Sequence, residues 1–349
     1  MSKRKRTVLA ACICICLSLL LFWNISSIDI TLPGVISKAI LPSCKHLSED
    51  NETLFILRTG ATEIADRIPA HVSTSLHCTQ HVIFSDYAET FLGERVIDAL
   101  ELVDPDIVAN NRDFDLYRRV KQHGRAVLSQ SELSGNLSQA PTSGTGHTEI
   151  PGWKLDKWKF VPMVNRTLYE YPNMKWYVFA EGDTSIIWST LHAYLATLDH
   201  TEPHYLGSAT SIGNDPGFAY GGAGFIVSRP AMRMIAEYYS AHKAAVEAIT
   251  LASWAGDAVL GKVFFNAGVP VKDIWPVVHG ASTSQALFAR PWSPGVPKEA
   301  EQVWCYPAAS LHHMSSAAVG SLWHYEQQWL EQRANVSRLK LSLIRLCLF

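Results

Sequence analysis

The chain has no GxxxxGKS/T phosphate loop and no GxGxxG dinucleotide fingerprint. A nucleotide bound here needs its phosphates neutralised by something other than a glycine-rich loop. A GxSxG nucleophile elbow and an HExxH helix are absent too, which argues against common hydrolases and zinc proteases. Neither basic nor acidic residues are in marked excess. The 349 residues carry a formal net charge of −2, giving no reason to expect a nucleic-acid partner. Cysteine is sparse and not spaced as in a zinc ribbon. Cys12, Cys14 and Cys16 lie in an apolar run, which leaves Cys44, Cys78, Cys305 and Cys347. In an oxidising compartment these four allow up to two bridges, with three connectivities open. No internal repeat is visible.

Charge is also missing from residues 7–28, behind the basic Lys3-Arg4-Lys5-Arg6. A run of this length spans a bilayer as a helix. Basic flanks stay cytoplasmic, so the bulk of the chain is expected on the far side. The apolar core of a cleaved signal peptide is shorter, roughly 7–15 residues. The expected organisation is a cytoplasmic tail at 1–6 and a signal anchor at 7–28. A stem follows at 29–52, then a catalytic domain at 53–330 and a tail at 331–349. Asn51, Asn136, Asn165 and Asn335 each open a glycosylation acceptor pattern, which fits a lumenal location.

Between these ends, short apolar runs alternate with helical periodicity. Leu54–Leu57, His81–Phe84, Trp176–Ala180, Tyr205–Gly207 and Phe225–Val227 read as strands. Leu92, Val96, Ala99, Leu100 and Val103 recur as on one helix face. Helices are expected from about Lys154 to Glu170, through Trp188, Leu191, Tyr194, Leu195 and Leu198, and after Ser228, where Pro230 suits a first turn. Residues 129–149, rich in Ser, Gly, Thr and Pro, read as a loop. Alternating strands and helices predict an α/β domain with a largely parallel sheet.

The chemistry concentrates where strands end. Trp176–Ala180 runs into Glu181 and Asp183 with Gly182 between them. Carboxylates just beyond a buried strand call for a positive partner, and a divalent cation carrying a diphosphate is one. Gly221, Gly222 and Gly224 precede another strand and permit close approach of a ligand. Asp257 suits either a helix cap or a general base. His312 and His313 are imidazole ligand candidates.

In order, Lys175-Trp-Tyr-Val-Phe-Ala-Glu-Gly-Asp-Thr184, Gly221-Gly-Ala-Gly-Phe-Ile-Val-Ser-Arg-Pro230, Gly256-Asp-Ala-Val-Leu-Gly261 and Ser310-Leu-His-His313 resemble the fringe-like β-1,3-glycosyltransferases. That group includes the core 1 galactosyltransferases. Leu57-Arg-Thr-Gly-Ala-Thr-Glu63, Ile83-Phe-Ser-Asp86 and Gly152-Trp-Lys-Leu-Asp-Lys-Trp-Lys159 are similar to its fungal members. The resemblance spans roughly residues 53–325.

The resemblance implies a GT-A fold, a Rossmann-like mixed, largely parallel sheet flanked by helices. It also implies a UDP-sugar donor, Mn²⁺, a glycan or glycoprotein acceptor, inversion at the anomeric carbon, and a single-pass type II Golgi (or ER) membrane location. By the same resemblance, Asp183, Glu181 and His312 hold the metal, and His313 is the alternative register. Asp257 is the catalytic base. Thr59, Gly60, Asp86, Lys159, Glu181, Gly221 and Gly222 lie around the nucleotide-sugar. One motif departs from the family. The usual Asp-Asp-Asp is here Glu181-Gly182-Asp183, one charge fewer and with a longer first acid.

The reading that follows is an inverting UDP-sugar hexosyltransferase, galactose-type or related, forming a β-1,3 linkage. The alternative is a non-catalytic relative that binds a lumenal client. A glycoside hydrolase would need two carboxylates flanking the scissile bond, and the ordered motifs speak against it.

Overall fold

The structure, a computed structural model, describes residue 44 and residues 51–133, 150–280 and 307–334. The expected anchor at 7–28, Cys305, Cys347, Asn136, Asn335 and most of the loop at 129–149 lie outside them. Among the described residues no helix is long and apolar enough to cross a membrane.

Eight strands form one mixed sheet: β1 (Thr53–Arg58), β2 (His81–Ser85), β3 (Glu89–Phe91), β4 (Glu94–Asp98), β5 (Trp176–Glu181), β7 (Tyr205–Gly207), β10 (Phe225–Ser228) and β11 (Lys272–Asp273), in the order β11-β7-β10-β5-β1-β2-β4-β3. The pairs β1–β2, β1–β5, β2–β4 and β7–β11 are parallel. β10 runs antiparallel to both neighbours, as does β3 to β4. The sheet is therefore mixed around a parallel centre, the α/β architecture expected of a GT-A-like fold.

Every residue of β1 is buried. A strand buried on both faces reads as a continuous apolar run, and its side chains alternate between two cores. Leu54 and Ile56 join one core, and Phe55 and Leu57 the other. Three helices serve the first core: α5 (Pro151–Glu170), α7 (Arg229–Ala252) and α8 (Gly256–Asn266). On the second face lie α1 (Ile64–Val72), α6 (Trp188–Leu195) and α9 (Ser316–Ala334), through Ile64, Ile68, Trp188, Leu191 and Trp323. Between them are α2 (Ser75–Cys78), α3 (Pro105–Asn110) and α4 (Asp115–His123).

The five expected strands and the three later helices are present, and Pro230 sits in the first turn of α7. The helix expected through Leu92, Val96, Ala99, Leu100 and Val103 is not. That stretch is the β3–β4 hairpin and the turn after it. Leu92 and Gly93 both take positive φ, 52° and 89°, as a tight two-residue hairpin requires. The apolar spacing matched a helix by coincidence, and the Gly93 turn decided the outcome.

Cys44 bonds to Cys78, which tethers a point in the expected stem to the end of α2. Helix α9 continues through residues 331–334, four residues into the expected tail. Asn51 is exposed. Asn165 lies half-buried within α5, and Thr167 of its acceptor pattern is buried with its hydroxyl on the Met163 carbonyl.

A small second sheet matters most for the site. β6 (Ser185–Ile186), β12 (Val278–His279) and β13 (Ser310–Leu311) pair in the order β12-β13-β6, while β8 (Ala209–Thr210) and β9 (Phe218–Ala219) form a separate antiparallel pair. The register sets Leu311 opposite Ser185. His312 and His313 are thereby delivered beside the Glu181–Asp183 turn.

Candidate active site

The parallel strands β1, β2 and β5 end side by side, so Arg58-Thr59-Gly60, Ser85-Asp86 and Glu181-Gly182-Asp183 meet at one edge. Such an edge is where open α/β sheets bind ligands. Asp183 lies in the turn closed by Thr184 N–H donating to the Glu181 carbonyl at 2.9 Å. Its Oδ1 stands 3.2 Å from His312 Nε2, and its Oδ2 3.9 Å from His313 Nδ1. Met314 N–H donates to the Asp183 carbonyl at 2.9 Å, which pins the two loops together.

Asp183, His312 and His313 offer one ligand atom each within 4.8 Å of one another. One carboxylate oxygen with two imidazole nitrogens is a donor set suited to a divalent transition ion. The residues fit a divalent metal such as the resemblance implies, with His313 beside His312 instead of in place of it and Glu181 outside the group. Burial opposes the charge on His312, but the Asp183 and Glu181 carboxylates outweigh it and raise its pKa. Burial is also the main influence on His313, and with the neighbouring His312 it lowers that ring to about 4, so His313 is neutral and ligand-ready at pH 7.

Glu181 is placed differently. One of its oxygens takes the Arg58 guanidinium, and the other lies 4.0 Å from His312 Nε2. Arg58 also meets Asp156 at 3.1 Å and rests 4.2 Å above the Phe160 ring. Lys159 reaches Asp156 at 2.8 Å, Asp86 at 3.0 Å and the Thr59 carbonyl at 3.0 Å. Asp86 in turn accepts from Ala61 N–H at 2.7 Å. Thr59, Asp86 and Lys159 are thus almost wholly buried in one ionic network beneath the cleft edge. They shape the Thr59-Gly60 turn from below. Gly60 is tight there, since a Cβ would come within 3.2 Å of Lys159 Nζ.

The missing middle acid now has a cause. A Cβ on Gly182 would sit 2.8 Å from Arg67 Cβ, too close for any side chain without movement of α1. Arg67 is itself fixed, donating to the Met314 carbonyl at 3.2 Å. The Gly182 carbonyl meets His71 Nε2 at 3.0 Å.

The glycine turn joins the two halves of the site. Gly221 N–H donates to Asp257 Oδ2 at 2.9 Å. A Cβ on the next residue, Gly222, would lie 2.2 Å from His312 Cε1. Only glycine lets the His312 ring seat there. Gly222→Ala is expected to push that ring away from Asp183 and weaken any divalent-cation binding at this group by roughly 10–100-fold, the usual cost of disturbing ligand support. Calorimetric titration of Mn²⁺ into the two proteins checks this, and equal affinities would refute it.

Asp257 stands in the first turn of α8, its Oδ1 accepting from Ala258 N–H at 2.9 Å. Burial, with the Glu181 charge, pushes its pKa up to about 6 against the opposing pull of the Gly221 and Ala258 N–H groups. Both oxygens keep a second lone pair for a proton.

Sequence reasoning passed over Arg58, Glu63, Arg67, Asp156 and Tyr220. Glu63 is pushed up to about 7 by burial and by the Asp156 and Asp183 charges. Tyr220 brings its hydroxyl 3.4 Å from His312 Nδ1. Two signals were readable: Arg58 directly ends a buried strand, and Asp156 with Lys159 forms an i,i+3 pair.

No curated protein matches the chain. A family model described as Fringe-like matches residues 49–284. The match takes in every candidate residue named from the sequence except His312 and His313, which the fold brings in from beyond it. It covers about two-thirds of the 349 residues, and the chain belongs to the glycosyltransferase-related Fringe-like family.

Proposed function

We propose that this protein is an inverting, metal-dependent glycosyltransferase. It would move a hexose from a UDP-sugar to a hydroxyl of a glycan or glycoprotein, in a β-1,3 linkage. The observation that carries the reading is the Gly221-Gly222 turn. One glycine holds Asp257 and the next seats His312 beside Asp183. A general base and a cation site on one rigid turn suit transfer from a nucleotide-sugar to a hydroxyl.

Asp183, His312 and His313 would hold the metal, with Glu181 next to them. A divalent cation bound there supplies Lewis-acid neutralisation of the departing diphosphate. Arg58 and Lys159 hold the surrounding carboxylates in place. Asp257 takes the proton of the acceptor hydroxyl as that oxygen bonds to the anomeric carbon and the bond to UDP breaks. The backbone N–H groups of Gly221 and Ala258 fix the carboxylate's orientation, which favours a near-attack arrangement.

The test is a screen of the purified full chain against several UDP-sugars with Mn²⁺ or EDTA, scoring hydrolysis and transfer. UDP-sugar binding without transfer to any acceptor would favour the non-catalytic reading. An ionised Asp257 is required, and its pKa is raised to about 6. The kcat/KM for transfer should therefore be flat above that pH and fall about tenfold per unit below it. A profile level down to pH 4.5 would remove Asp257 from the role.

A Golgi (or ER) type II location is part of the proposal, supported by the uncharged run at 7–28 and its basic flank. Protease protection of sealed microsomes tests it. A C-terminal domain digested without detergent would refute it.

A further inference from the structure

Tyr220 has no part in the chemistry above, although its chain neighbours do. It is followed by Gly221, which holds Asp257, and by Gly222, which seats His312. Its own side chain meets the same histidine. The phenol oxygen lies 3.4 Å from His312 Nδ1. The two rings contact edge to face, with centroids 5.5 Å apart and planes at 75°.

The surrounding fold fixes where that oxygen stands. Tyr220 follows β9, and its N–H donates to the Ser208 carbonyl, between β7 and β8, at 2.9 Å. Its own carbonyl accepts from Ala223 N–H at 3.1 Å. The half-buried ring packs against the second core. It also lies over Gly280, where a Cβ would fall 2.8 Å from Tyr220 Cδ1 and 3.0 Å from Cε1. A side chain held in place in this way loses little entropy when it is used.

The two nitrogens of His312 face different partners. Nε2 is 3.2 Å from Asp183 Oδ1, and Nδ1 is turned to Tyr220. A neutral imidazole carries one proton, so a cation bonds only the nitrogen without it. For Nε2 to be the donor beside Asp183, the proton must sit on Nδ1. There Tyr220 is the only hydrogen-bond partner among the described residues. The phenol oxygen accepts that proton's hydrogen bond through a lone pair and keeps its own O–H. Histidines that bind metal regularly give their second N–H to an outer acceptor, which fixes the tautomer and the ring plane. A phenol does this without adding another carboxylate to a site that already holds Glu181, Asp183 and Asp257.

We infer that Tyr220 is a positioning residue for the cation site. It holds His312 in the Nδ1–H tautomer, with the Nε2 lone pair towards Asp183. It does not touch the cation and acts wholly through His312. The inference rests on the metal-dependent transferase reading and adds to it a residue outside the ligand set. Tyr220, Gly221 and Gly222 then fix the tautomer, the base and the ring seat in consecutive positions.

The test titrates Co²⁺, whose visible absorption reports its ligands, into the full chain as wild type, Tyr220→Phe, His312→Ala and the double variant. Tyr220→Phe keeps the ring and removes only the oxygen. It should weaken Co²⁺ binding by roughly tenfold or more, the scale of losing an outer partner of a ligand. In the His312→Ala background the same change should cost less than about twofold, since the residue it acts through is gone. The Co²⁺ band should shift in Tyr220→Phe, and should not differ between His312→Ala and the double variant. Urea unfolding in EDTA should be the same for wild type and Tyr220→Phe. Wild-type affinity in Tyr220→Phe, an equal loss with and without His312, or a loss matched by an earlier unfolding midpoint in EDTA would each overturn the role and leave the transferase reading standing. A wild type that binds no Co²⁺, or His312→Ala with wild-type affinity, would overturn both.

Discussion

Asp257→Asn is expected to lower transfer by roughly 10²–10⁴-fold, the usual worth of a positioned proton acceptor. The side chain keeps its size but can no longer take a proton at neutral pH. A modest loss of stability should accompany this. Gly221 and Ala258 each donate an N–H to a different oxygen of Asp257. An amide has only one acceptor oxygen and would turn its NH₂ towards the other donor. One unsatisfied buried N–H costs about 1–3 kcal/mol. Initial rates at saturating donor, read beside a urea unfolding curve and UDP affinity, separate the two effects. A folded, UDP-binding variant with near wild-type transfer would reduce Asp257 to a first-turn carboxylate that stabilises α8.

The second large effect is expected at Asp183. Asp183→Ala should remove the Mn²⁺-dependent part of UDP affinity, a loss of roughly 10–100-fold or more. The turn should survive, because Met314 N–H is held by the Asp183 backbone carbonyl and not by its side chain. His312 is buried and would lose its nearest carboxylate, leaving Tyr220 and the more distant Glu181 oxygen. His312→Ala removes an uncharged donor and leaves the anionic Asp183 beside His313, so it should weaken UDP binding less. Calorimetric titrations of UDP in Mn²⁺ and in EDTA decide the matter. Equal UDP affinity in wild type and Asp183→Ala with metal present would mean that the cation site is elsewhere.

Gly182 shows why a motif read in isolation misleads. Beside the family's acidic run it looks like a lost charge. In the fold it is a steric requirement, set by Arg67 of α1. Arg67 also lies close enough to help hold the Asp183 carboxylate ionised, alongside His312. The residue that excludes the middle acid thus brings positive charge to the same turn. Neither fact is visible in the order of residues 175–184, because Arg67 lies more than a hundred positions upstream.

The hairpin at 89–98 teaches the converse. Its apolar residues recur at spacings that satisfy a helix, and only the backbone at Leu92-Gly93 resolves the ambiguity. A glycine in a short apolar segment outweighs the periodicity around it, since its positive φ reverses the chain at little cost.

What the sequence determined by itself was local or collinear. Buried strands announce themselves as apolar runs, so β1, β2, β5, β7 and β10 were legible, as were the helices that alternate with them. Carboxylates at the end of β5 and glycines before β10 marked the site, because such residues are costly or idle elsewhere. The order of the motifs carried the family. The tertiary structure decided everything that depends on residues far apart in the chain. It chose Cys78 as the partner of Cys44, set Arg58 against Glu181, and buried Asp86 with Lys159 beneath the cleft. It brought both histidines to Asp183 through the pairing of β13 with β6, across more than a hundred residues. It also stacked Trp153 of α5 on Trp254, a hundred residues away. Periodicity reports which face of an element is buried, but strand register and helix contact decide what that face meets.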